Sequence, residues 1–351
     1  MVGAPPRRLV YVTCSDADNV TVIDANSLTI VGSPFRVGPR PLVAALDERV
    51  GRHASATLAA RTGAVVERFP VGRSPSAVAL SPDGRYAYVT SIDDGGVSVV
   101  DTHTTIPVGS RPTAIVFSPT RRLFYVAQPD AGTVTAVDTA SNTVTGAPIP
   151  VGGQPGALAL TPDEKRLYVA DSAAGTVRAV DMAGPTPAVG PPVQVGGAPM
   201  GLAVVPDGTR VYVADSAGGT LAVIDTATGT MTGAPVALAT GAFDVASARD
   251  SRRLYVADAG ADAILVVDAT TLTVTARVAL PSTPRWLAVT PDGSRLLVTL
   301  PSVGSLAGRH RRSRPPGGPD PGRERAAWGR RLRRRTPRVG HQHRLQLPDG
   351  S

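Results

Sequence analysis

Short apolar runs recur along most of this chain, each broken by Asp, Gly, Pro or Ser. Residues 156–195 show the pattern: GALALTP, a DEK turn, RLYVAD, a SAAG turn, TVRAVD, and a variable stretch ending PPVQVG. Runs of this length bounded by turn residues predict four short strands per unit. Pro-Asp-Gly at Pro82–Gly84, Pro206–Gly208 and Pro291–Gly293 joins the first two strands, where Asp and Gly tolerate tight and left-handed backbone. The second and third strands are almost continuously apolar, as expected of a small sheet covered on both faces. Nothing in 1–307 has the length or period of an amphipathic helix.

The unit repeats. LVYVTCSDADNVTVID, YAYVTSIDDGGVSVVD, FYVAQPDAGTVTAVD, LYVADSAAGTVRAVD, VYVADSAGGTLAVID and LYVADAGADAILVVD are versions of one pattern. Their tyrosines, Tyr11, Tyr88, Tyr125, Tyr168, Tyr212 and Tyr255, are spaced by 77, 37, 43, 44 and 43 residues, and Leu297 of LLVTL follows after 42. The first step is near twice the period. PLVAAL and GAVVERFPVG flank a shortened, degenerate second copy whose unreadable middle lies at about 47–60. Four-strand units of this period predict an all-β fold, a single β-propeller, which removes most sheet edges by radial repetition. The YVT or YVA strand, the VID/VVD strand end and the VG..P linker resemble the YVTN β-propeller repeat family over about residues 8–307. The resemblance implies the fold and leaves the function open, because such propellers bind, scaffold or catalyse.

The spacing favours seven blades and leaves eight as the alternative. The first repeat begins at its second strand, so a first strand at Trp286–Thr290 could complete it, leaving Arg295–Leu300 surplus.

Charge changes the picture at one end only. The net +8 is carried by residues 308–351, which hold 13 Arg against Asp320, Glu324 and Asp349. Without them, 1–307 has 23 basic and 25 acidic residues, a net of −2. The repeat stops at Gly308, dividing the chain into a propeller (1–307) and an Arg-rich tail (308–351) expected to be disordered. One Lys against 35 Arg suggests GC-rich coding sequence, and the tail composition is what a shifted frame of such sequence produces. Codons for Gly340–Asp349, read from their second base, permit Val-Thr-Asn-Thr-Gly-Ser-Asn-Ser-Leu-Thr, a strand end, hairpin and strand start of this repeat. Val339 then permits Trp or Leu at the tyrosine position, 42 residues after Leu297, and Leu332–Arg338 permits a sequence close to SPDGRYA of Ser81–Ala87. The tail therefore reads as a frameshifted repeat, and nucleic-acid binding by a basic arm is disfavoured, Trp328 being its one aromatic.

A lone Cys14 excludes internal disulfides and multi-cysteine metal sites. The start lacks the apolar core of a signal peptide and no run suggests a membrane span, so a monomeric cytoplasmic protein is the default expectation, with export open if the start is misplaced.

Candidate chemistry follows from the repeat. Asp24, Asp101, Asp138, Asp181, Asp225 and Asp268 close the third strands, one per unit, and are expected to accept hydrogen bonds from the next turn. Asp16, Asp18, Asp93, Asp94, Asp130, Asp171, Asp215, Asp258 and Asp262 fall in the hairpins between strands two and three, predicting an acidic rim. The linkers entering each first strand lie on the same face, nearer the axis. They carry Arg40, Arg73, Arg111 and Arg285, with Gln154, Met200 and Phe243 at the equivalent places. This predicts a partly cationic central mouth that takes an anionic small molecule or an acidic protein loop, unless each Arg pairs with a rim Asp. Catalytic constellations are missing: 1–307 has only His53 and His103, and no phosphate loop or nucleophile elbow. No cofactor or metal is expected. A non-catalytic scaffold is the preferred reading, with a metal-assisted lactonase-type hydrolase, known on related-looking propellers, as the alternative.

Overall fold

The structure, a computed structural model, describes the backbone of residues 9–14, 19–24, 35–36, 41–47, 65–82, 86–100, 104–289, 295–301 and 305–310. Side chains are described at 70–82, 86–100, 104–289 and 296–301. Seven four-stranded antiparallel sheets, with no helix among the described residues, form a seven-bladed β-propeller. The blades are numbered here by their inner strands: Pro41–Asp47, Pro75–Leu80, Ala114–Phe117, Pro155–Leu160, Pro199–Val204, Ala242–Ser247 and Leu287–Val289. Inner strands of consecutive blades touch around the whole ring, blade 7 meeting blade 1.

The apolar strands account for the core. In blade 4 the second strand, Arg166–Asp171, buries Leu167, Tyr168, Val169 and Ala170, residues of both faces. Both faces are covered because each cluster of buried side chains draws on two neighbouring blades. Leu221 and Val223 of blade 5, for example, pack with Leu254, Val256 and Leu265 of blade 6. Outer strands such as Thr143–Pro150 are mostly exposed, which is why their sequences vary.

The repeat signature joins blades as well as forming strands. Tyr212 of blade 5 donates its hydroxyl to Ala269 O of blade 6 at 2.6 Å, and Tyr88 of blade 2 reaches Asn142 Oδ1 of blade 3 at 3.1 Å. Both acceptors lie in the turn that follows the third-strand Asp. That Asp organises the turn: Asp138 Oδ1 accepts the Ala140 and Ser141 amides, Asp225 those of Ala227 and Thr228, and Asp268 those of Thr270 and Thr271. Asp181 accepts Ala183 N. Tyr125 and Tyr168 are buried and Tyr255 half-buried; the side chains of Tyr11 and Asp24, and all of Asp101, lie outside the described residues.

Ring closure differs from the sequence expectation in its route. Trp286–Thr290 does not complete the first repeat, and Arg295–Leu300 is not surplus. Leu287–Val289 heads blade 7 and pairs with Arg295–Leu300, which pairs in turn with Ser305–His310. The outer strand of blade 7 is Phe35–Arg36, from the first repeat. Blade 1 is composite: the hairpin Leu9–Cys14 and Asn19–Asp24 of the first repeat inserts between Pro41–Asp47 and Val65–Pro70 of the second. The degenerate copy thus keeps its inner and outer strands, and a borrowed hairpin pairs with their otherwise open edges.

The expected boundary lies at 307/308. The strand Ser305–His310 crosses it, pairing Gly308 with Leu297 and His310 with Arg295 through backbone groups that are indifferent to the change in composition. Residues 311–351, on which the tail reading falls, lie outside the described residues.

Candidate functional site

Each inner strand is entered through a linker that, in most blades, contains a proline: Pro75, Pro112, Pro155, Pro199 and Pro284, with Ala242 in its place in blade 6. Pairing of the inner strand with the end of the second strand, as in Pro155 with Asp171, puts linkers and hairpin loops on one face. There a cavity of about 700 Å³ opens over the axis. Ser76, Thr113, Gly156, Met200, Phe243 and Arg285, each one residue past the proline position, line it from six successive blades. Arg111, Gln154 and Thr283, each one residue before the proline, form its upper wall, and Pro129, Ser172 and Pro301 join from the hairpins. Trp286 completes it.

The expected mouth residues are therefore not at equivalent places. Arg111 and Gln154 precede the proline, while Met200, Phe243 and Arg285 follow it; these five meet at the cavity. Arg73 stands two residues before Pro75 and does not line it. Its Nε contacts Asp94 Oδ1 at 2.8 Å, and its amide donates to Asp94 Oδ2 at 2.8 Å. These two bonds, the amide first, hold the Asp94 carboxyl below the usual range. Arg40 lies outside the described residues.

The two arginines at the cavity differ. Arg111 Nη1 approaches Asp130 Oδ1 at 3.3 Å, both groups being largely exposed. The Arg285 guanidinium lies 4.3 Å over the centre of the Phe243 ring, whose edge-to-face partner is Trp286 at 5.5 Å. Among the described residues no carboxylate lies within 4 Å of it. An aromatic face holds a cation without neutralising it.

The acidic rim is thinner than the sequence suggested. Asp215 and Asp258 are buried, 2 % and 0 % exposed, because they turn inward to the linkers. Burial works against the Asp215 charge, but the amides of Ala198, Gly197, Ala217 and Gly218 outweigh it and lower its pKa. Asp258 Oδ1 accepts the amide and hydroxyl of Thr240. Asp171 accepts the Ala173 and Ala174 amides of its own hairpin. Asp16 and Asp18 lie outside the described residues.

Two residues past the proline position the inner strands of blades 2 to 5 carry small residues: Ala77, Ala114, Ala157 and Gly201. In blade 6 that position is Asp244, which is 6 % exposed. Its Oδ2 accepts Leu287 N of blade 7 at 2.8 Å, and its Oδ1 accepts Val245 N at 2.9 Å. Burial pushes this carboxyl up to about 7, against the two amides. Sequence reasoning passed over Asp244, although a charged residue in AFDVAS where PGALAL has Ala was a readable signal.

Fold and mouth together define a seven-bladed propeller with an open, partly cationic axial cavity. Solved structures share the fold. A Bacteroides uniformis protein described as a candidate 6-phosphogluconolactonase aligns with TM-score 0.64 and 18% identity, over 88% of this chain and 93% of its own. A Desulfotomaculum acetoxidans protein of unknown function aligns with TM-score 0.64 and 14% identity, over 83% and 89%. Kuenenia stuttgartiensis hydrazine synthase aligns with TM-score 0.58 and 18% identity, over 65% and 74%. No family model and no curated protein matches the chain.

Proposed function

We propose that this propeller is a binding scaffold whose axial mouth recognises an anionic ligand, a small molecule bearing a carboxylate, sulfate or phosphate. The observation that carries the reading is Arg285, seated on Phe243 at the cavity wall with no carboxylate of the described residues beside it. A planar guanidinium presents paired N–H donors to such groups. Arg111 and Gln154 add donors from blades 3 and 4, and Met200, Phe243 and Trp286 give an apolar flank. Titration with sulfate, followed by calorimetry, tests this. Arg285→Ala is expected to weaken binding at least about tenfold, as for loss of a charge-assisted hydrogen bond, and Arg285→Lys to restore part of it. Equal affinity in all three proteins would contradict the reading.

The second reading is a hydrolase of lactones, favoured by the fold likeness to the candidate 6-phosphogluconolactonase. Among the described residues no three His, Cys, Asp or Glu side chains gather to hold a metal ion, so the metal-assisted form of that chemistry has no fitting donor set there. Lactone turnover that disappears on chelation would favour it over the scaffold.

A further inference from the structure

Asp244 has an unusual position for a carboxylate. It is buried in the channel wall at the seam of three blades, and no cationic group of the described residues lies within 4 Å of it. The space it occupies exists because blade 5 carries Gly201 opposite. A Cβ there would stand 2.7 Å from Asp244 Cα and collide with its Oδ1. Blade 7 supplies Leu287 N to its other oxygen. The carboxylate is thereby tied to both sides of the anion-binding element. It follows Phe243, the ring under Arg285, and binds the amide two residues beyond Arg285.

We propose that Asp244 is a proton-coupled positioning residue of the mouth, so that an anion bound at Arg285 is taken up together with a proton on the Asp244 carboxyl. The inference rests on the anion reading above. Asp244 is joined to the Arg285–Phe243 element through the Phe243 backbone and through Leu287 N. When it is ionised, its buried charge opposes an incoming anion through a poorly screening interior. When it is protonated, Arg285 is left as the uncompensated charge of the stack. The proton comes from solvent, and the bound anion raises Asp244's affinity for it by the same factor that the proton raises affinity for the anion.

The surroundings support an isolated titration. The inner strands of blades 5 and 7, packed against that of blade 6, carry no ionisable side chain, and Arg285 just precedes the latter. The second strands of blades 5 and 6 carry Tyr212 and Tyr255 and, at their ends, Arg210, Asp215, Arg253 and Asp258. Of these, Asp215 has its own amide donors and Asp258 its Thr240 donors. Burial raises the Asp244 carboxyl to about 7, which places the event near neutrality.

The test is calorimetric titration of the full chain with sulfate, an anion that does not itself titrate near neutral pH. Measurements are made at pH 5.5 and 8.5, in paired buffers of different ionisation heat. Wild type is expected to bind sulfate at least about fivefold tighter at the lower pH, the lower end of ordinary coupling, and to take up protons near pH 7. Asp244→Asn is expected to lose both the pH dependence and the proton uptake while still binding. Binding by wild type without proton uptake, or the same pH dependence in both proteins, overturns the inference and leaves the anion reading intact. Absence of sulfate binding at every pH overturns the anion reading, and this inference with it. The wild-type buffer comparison stands alone if Asp244→Asn does not fold.

Discussion

Arg285 of blade 7 rests its guanidinium 4.3 Å above the ring of Phe243 in blade 6, while Arg73, an arginine of the same sequence pattern, is held by Asp94 at 2.8 Å. The first contact leaves a charge available at the axis, and the second removes one from it. The difference comes from register. A residue one past the linker proline faces the cavity, and one two before it reaches the neighbouring hairpin.

Arg73→Ala is accordingly expected to leave sulfate affinity unchanged, since Arg73 does not line the cavity. Arg111→Ala, at the cavity wall, is expected to weaken sulfate severalfold despite its contact with Asp130. Calorimetry on the two single variants distinguishes them, and an equal loss in both would place Arg73 at the mouth after all.

Stability is expected to carry the signature of Asp244. Its pKa is raised from 3.8 in an ordinary carboxyl to about 7 in the folded protein. The folded state thus holds the proton longer than the unfolded one. The stabilising contribution is full below about pH 4 and is lost as pH rises towards 7, on the order of 4 kcal/mol in all. Carboxylates such as Asp138 and Asp268, lowered by backbone amides of their turns, act oppositely and lose stability as pH falls. Subtracting the urea-unfolding free energy of Asp244→Asn from that of wild type isolates the term. A difference that stays flat from pH 4 to 7 would show that Asp244 does not titrate there.

Gly201→Ala is expected to destabilise by about 1–3 kcal/mol, as overpacking does. The added methyl meets backbone atoms, Asp244 Cα at 2.7 Å and Val245 N at 3.0 Å, which cannot rotate away. Gly156→Ala, whose Cβ would meet nothing nearer than Ser172 Oγ at 3.7 Å, is the control and should melt as wild type does.

The repeat tyrosines are expected to differ among themselves. Tyr212→Phe removes the 2.6 Å bond to Ala269 O and should cost about 1 kcal/mol. Tyr168→Phe should cost less. The buried Tyr168 hydroxyl makes no bond to Thr226 O, the equivalent acceptor, which takes Arg166 Nη1. Thermal melts of the two variants, side by side, check the contrast.

Strands, turns and the face carrying the linkers were legible along the chain, because each depends on neighbours a few residues apart. An apolar LYVAD run between PDG and SAAG turns can bury both faces only inside a stack of similar sheets. Met200, Phe243 and Arg285 could be located near the axis for the same reason. Their offset from the linker proline, against that of Arg73 and Arg111, is also written along the chain, but which offset faces the cavity is decided only by the packed ring. Asp244 stands out in the chain as a charge at an alanine position, but nothing along the sequence marks Gly201, 43 residues earlier, as the residue that makes room for it.

By itself, then, the sequence determined the repeated four-stranded unit, the capping role of the third-strand Asp in blades 3 to 6, and an axial mouth on the linker face. Tertiary structure alone decided how the ring closes, with Leu9–Asp24 filling blade 1 and Phe35–Arg36 finishing blade 7. It also decided which arginine rests on an aromatic ring instead of a described carboxylate, and which carboxylate is buried. Strand formation follows from side-chain periodicity, which is written in order along the chain. Strand partnership is made by backbone hydrogen bonds that are the same for every residue, so only the packing of the whole ring selects among the pairings.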